Sequence, residues 1–173
     1  MKNIILVSIV FFTLLSCNTE SQKIGFVNNT DLISDYQEKM DIEAKFKGKI
    51  ETFQKRTDSI GQAFQAEAQA FQLKAQGMAQ DKAQLEYQAL GQKQQMLQQR
   101  IQQEEGAIQE ESQEAIDSLI KKVRDYVKVY GKKNGYTYIL GSNEAGSVMY
   151  GEESKDLTKE ILESLNADYN KAE

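Results

Sequence analysis

Along the middle of the chain, large apolar residues return at the spacing of a helix that lies on a partner. One series runs Phe46, Ile50, Phe53, Thr57, Ile60 and Phe64 in steps of four and three, then Phe71, Met78 and Leu85 in sevens. A second runs Leu97, Ile101, Glu104, Ile108, Ser112, Ala115, Leu119, Val123, Tyr126 and Tyr130, again in fours and threes. Between these positions stand mostly Gln, Ala, Lys and Glu, all good helix formers. Two sustained heptad stretches around a polar, Gly-containing middle predict an antiparallel helical hairpin over residues 35–130. Gly77–Asp81 and Gly91-Gln92 both fit a reversal. The midpoint of the helical zone favours a tip near 77–82, with arms of about 45 residues, roughly 65–70 Å each.

On either side the pattern shifts to that of strands. Lys23–Asn28, KIGFVN, is β-branched and aromatic. After Gly131-Lys132-Lys133-Asn134-Gly135 breaks the helix, YTYILGS (136–142) and SVMYG (147–151) read as a β-hairpin around Asn143-Glu144-Ala145-Gly146. DLTKEILESLN (156–166) reads as an amphipathic helix, with Asp156 as N-cap and Leu157, Ile161 and Leu165 on one face. The expected class is α+β, mostly α: a coiled-coil arm inserted into a small β body formed by 23–34 and 131–173. Three short strands and one helix bury too little area to stand alone, which predicts an oligomer without fixing its subunit number.

Composition narrows the chemistry. The chain has 173 residues, formal charge −5, no His, no Trp, no Pro and one Cys. Without Pro, nothing breaks long helices by removing a backbone donor. Without His, imidazole general bases and imidazole metal ligands are excluded. Glu104-Glu105, Glu110-Glu111 and Glu114 look like a carboxylate cluster, and acids three or four apart share a helix face, yet no nucleophile or third ligand type accompanies them. A solvated surface is the expected reading, so neither a metal nor a cofactor is implied and an enzyme is disfavoured. No GxxxxGK[ST] phosphate loop occurs, and the acidic balance disfavours nucleic acid.

The first residues, MKNIILVSIVFFTLLSC, place Lys2 before an apolar run from Ile4 to Leu15, too short to span a bilayer and suited to a signal-peptide core. Leu14-Leu15-Ser16-Cys17 resembles a bacterial lipobox. This predicts a signal peptide over 1–16, lipidation at Cys17 and a polar tether over 17–22, hence a membrane-anchored chain in the cell envelope. Which membrane face carries the anchor stays open.

The order of parts resembles the Skp/OmpH family of periplasmic chaperones. KIGFVN, a helix with Tyr36 near its start, the Gln-rich hairpin, the return YGKKNGYTYILGS and the closing DLTKEILESLN carry the resemblance over roughly 23–166. It implies a jellyfish-like homotrimer, in which Ile24, Phe26, Tyr138, Leu140, Val148 and Tyr150 belong to the body and its subunit contacts. It also implies a cavity between helical arms that holds unfolded outer-membrane proteins without ATP. The best-known relatives are soluble and strongly basic; this chain is acidic, so apolar contact rather than charge is the expected means of holding clients. Two functions follow from the sequence: a holdase for unfolded envelope proteins, or a structural coiled-coil lipoprotein that spaces or scaffolds envelope components.

Overall fold

A computed structural model describes residues 22–143 and 146–172. Strand β1 (Ile24–Asn28) leads directly into a short helix α1 (Asn29–Ser34). Two long helices follow, α2 (Gln37–Ala75) and α3 (Gln80–Lys133). Strand β2 (Tyr138–Ser142), a 3₁₀ turn (Glu153–Lys155) and helix α4 (Thr158–Ala172) complete the chain. Residues 1–21, with the lipobox and Cys17, lie outside the described residues.

β1 and β2 pair in parallel, Ile24 with Tyr138, Phe26 with Leu140 and Asn28 with Ser142. A parallel pair needs a long crossover, and here the crossover is the whole helical hairpin. The fold is therefore an arm inserted into a body. α2 and α3 reverse over Gln76–Ala79, where Gly77 and Met78 donate back to Lys74 and Ala75 carbonyls. α3 is the longer helix because it continues past the arm and through the body.

Local signals explain the ends. The Asn28 side chain accepts from the Thr30 and Asp31 amides, a capping interaction that starts α1. The amide of Gln37, at the start of α2, donates at 2.9 Å to Asn166 Oδ1 of α4, so one helix caps another. α3 ends in a Schellman motif: Tyr136 N–H donates to Gly131 and Gly135 N–H to Lys132, with Gly135 at φ 71°. Asp156 Oδ1 accepts from the Thr158 amide at 2.8 Å and so caps α4.

The core lies between the inner face of the sheet and the helices. Val27, Leu32, Tyr36, Leu119, Val123, Leu157, Ile161 and Leu165 are buried together. Ile161 and Leu165 pack there as the α4 face, with Leu157 just before the helix, while Leu119 and Val123 serve the body rather than the arm seam. Tyr36 is fully buried, edge-on to Tyr169 at 6.1 Å, with its hydroxyl donating to Glu38. Burial pushes this phenol above its ordinary value, and the Glu38 hydrogen bond adds to the shift.

Two expectations are corrected. SVMYG (147–151) forms no strand. Gly146, at φ 84°, turns the chain, and the open edge of β1 is taken by Asp156-Leu157, with Leu157 N–H donating to Phe26 O at 2.9 Å. Among the described residues the sheet thus has two strands, not three. Leu85 is also off the seam, 67% exposed, because the reversal at 76–79 resets the helical phase; Leu90 takes its place.

Candidate interaction surfaces

The sheet has two unlike faces. Strand alternation sends Val27 and Ile139 inward, and Ile24, Phe26, Tyr138 and Leu140 outward. The inner face is made close by glycine: a Cβ on Gly25 would meet Leu157 Cδ1 at 2.6 Å. On the outer face the chain passes Phe26 so tightly that a Cβ on Gly151 would meet its ring at 2.3 Å. Phe26 and Val148 are half-buried, whereas Ile24, Tyr138, Leu140, Met149 and Tyr150 are exposed, Tyr150 at 85%. All six residues singled out from the sequence thus lie outside the body's core. Four sit on the outer sheet face, with the 148–151 segment beside it. Met149 joins them, and no periodicity pointed to it.

The arm is a two-helix seam. Phe46 is buried at its root, Phe53, Ile60, Phe64, Phe71, Met78, Leu97, Ile101 and Ile108 are half-buried, and Ile50 is exposed at the seam's edge. A two-helix arm shields only one stripe of each helix. Leu73, Leu85, Tyr87 and Met96 on its distal half stand in solvent, Leu73 at 74% exposed.

Ion pairs cross the hairpin at regular levels: Glu38–Lys122, Lys49–Glu111, Arg56–Glu104, Glu67–Lys93 and Lys74–Glu86. In each pair the two residue numbers sum to 160. The rungs on α2 alternate in steps of eleven and seven. A seven-residue repeat alone coils left-handed and an eleven-residue one right-handed. Their alternation gives eighteen residues per five turns, the period of a straight helix, so the rungs stay on one face. Lys49 and Lys45 together hold the Glu111 carboxyl below the ordinary carboxylate value.

The start of the body is fastened to the end of α3. Lys23 donates to the Asn134 carbonyl at 3.0 Å and lies 4.0 Å over the Tyr136 ring. Because α3 runs from the tip toward Asn134, Lys23 lies at the end of the body remote from the tip. Among the described residues no helix is long and apolar enough to cross a membrane.

A family model described as outer membrane protein (OmpH-like) matches residues 23–165. The chain belongs to the OmpH-like family. Its fold is shared by a crystal structure from Caulobacter crescentus CB15, described as a candidate OmpH-like outer-membrane chaperone. That structure matches with TM-score 0.75 and 16% identity, over 85% of each chain. A search of curated proteins finds no significant match. The OmpH-like assignment rests on the body and arm together, since the match begins at the first residue of β1's lead-in and ends at the last core residue of α4.

Proposed function

We propose that this OmpH-like chain is an ATP-independent holdase, which keeps unfolded outer-membrane and other envelope proteins soluble between helical arms. The observation that carries the reading is the unshielded apolar surface of the arm, Leu73, Leu85, Tyr87 and Met96, far from the body core. Exposed apolar groups of this size are a liability on a spacer and useful on a protein that binds other chains. The description of the Caulobacter protein as a chaperone supports the same reading.

The arms act together through the body. Ile24, Phe26, Tyr138, Leu140, Val148 and Tyr150 form the contact with neighbouring copies, and the assembly is a homotrimer. Lipidation at Cys17 anchors it. From Cys17 to Lys23 is six residues, a reach of about 20 Å, so the body lies against the membrane. The arms point away from it, with α3 about 80 Å long.

The test is aggregation of a urea-unfolded β-barrel protein on dilution, in the presence of the mature protein from Cys17 onward. Suppression at near-stoichiometric amounts without nucleotide supports the holdase. No suppression at threefold excess, with no binding of a hydrophobic dye, supports the spacer instead.

A further inference from the structure

The ladder side of the arm carries a feature that repeats. Between the Glu67–Lys93 and Lys74–Glu86 rungs lies an open cleft of about 380 Å³, floored by Phe71 and Leu90 and walled by Ala70 and Ala89. Eighteen residues nearer the body on each helix, the arrangement recurs. Between the Lys49–Glu111 and Arg56–Glu104 rungs lies a cleft of about 500 Å³, floored by Phe53 and Ile108 and walled by Thr52 and Ala107. The repeat is written in the residues: Phe53 answers Phe71, Arg56 answers Lys74, Glu104 answers Glu86, Ala107 answers Ala89 and Ile108 answers Leu90. Eighteen residues are five whole turns, so both clefts open on one face, about 27 Å apart.

We propose that the two clefts are a paired site for an extended, uncharged polypeptide segment with bulky apolar side chains about eight residues apart. At roughly 3.3 Å per residue, eight residues of extended chain span the same 27 Å. The rims select for lack of charge. Each flanking Lys, Arg and Glu is already paired across the hairpin, with Glu111 shared by Lys49 and Lys45, so an incoming charge would have to displace a formed ion pair and would cost desolvation. An apolar side chain instead covers the Phe floor between two rims of formed ion pairs. A second arm does not fit both clefts: among the described residues, no two exposed bulky apolar residues on one helix stand eighteen apart. The inference rests on the client-holding reading and gives it a register.

The test uses the purified mature protein and fluorescent Ser/Gly/Gln peptides carrying two Phe at separations of four, eight or twelve. Eight is expected to bind at least tenfold more tightly than a single-Phe peptide, with little dependence on salt. Ala89→Gln with Ala107→Gln, at exposed helical sites, is expected to reduce that peptide to single-Phe affinity while helicity and assembly mass stay unchanged. Affinity independent of spacing, or unchanged in the double variant, overturns the paired site even if aggregation suppression persists. So does a double variant that alters assembly mass, which would make the clefts contacts between copies. Loss of suppression by the wild type alongside an intact spacing preference would instead count against the holdase reading, leaving the site standing.

Discussion

Arg56 on α2 reaches across the hairpin to Glu104 on α3, at a position where the apolar series Ile101–Glu104–Ile108 would place a core residue. The carboxylate is tolerated at the seam because the arm is only two helices thick. Its head reaches the rim and meets a cation there, while Ile101 and Ile108 keep the seam apolar.

Reversing one partner should therefore weaken the arm slightly and measurably. Both groups are near half-exposed, so Arg56→Glu is expected to cost about 0.3–1 kcal/mol, and adding Glu104→Arg should recover most of it. Urea denaturation of the two single variants and the double variant, closed as a cycle, measures the coupling. A coupling of zero would remove the ladder from any role in stability.

Truncation should separate the body from the arm. Leu119→Ala or Ile161→Ala opens a cavity in the buried cluster, and each is expected to cost about 2–5 kcal/mol. Leu85→Ala removes a side chain already in solvent and should fall within about 0.5 kcal/mol of wild type. If Leu85→Ala proved as damaging as Leu119→Ala, the reversal at Gln76–Ala79 would be misplaced.

The arm was legible because a heptad stripe is a long-range signal summed over many residues, and the family resemblance rested on the order of its flanking parts. The body was less so. SVMYG has strand composition, but composition does not fix pairing: the chain turns at Gly146, closes on the Phe26 ring at Gly151, and only five residues later pairs with β1, through Asp156-Leu157. α1 went unread although Asn28, with Asp31 three residues on, is a cap signal; six residues are too few to show a period. Leu85 continued the stripe of Phe64, Phe71 and Met78 in number only, since a turn breaks phase without breaking spacing. The clefts were invisible to periodicity in either series because each is assembled from both helices.

The outer sheet face should govern assembly. Tyr138→Glu places a charge among Ile24, Phe26 and Leu140, and is expected to lower the particle mass in light scattering while circular dichroism stays helical. An unchanged mass would exclude this face as the contact between copies.

Stability should be flat through neutral pH and fall at both extremes. The chain has no His, so no side chain ordinarily titrates near pH 6–7. The hydrogen bond from Lys49, aided by Lys45, holds Glu111 below its usual 4.5; its contribution is present above that value and is lost as the pH falls. Burial, with Glu38 and Glu160 as acceptors, raises Tyr36 and Tyr130 above 10. Above pH 10 the unfolded phenols ionise first, so the folded state loses ground as the pH rises. Thermal midpoints should hold between about pH 6 and 9 and drop beyond about 10. A drop between pH 6 and 8 would point to a titrating group outside this set.

If copies of this chain join through the body and hold a client among their arms, protein and client should travel as one particle. Size-exclusion chromatography with light scattering, on an unfolded β-barrel protein diluted into the mature protein, measures that particle. One soluble particle with the mass of three chains plus one client, formed without nucleotide, is expected. A client that pellets at threefold excess, while the protein elutes at its own unchanged mass, would contradict it.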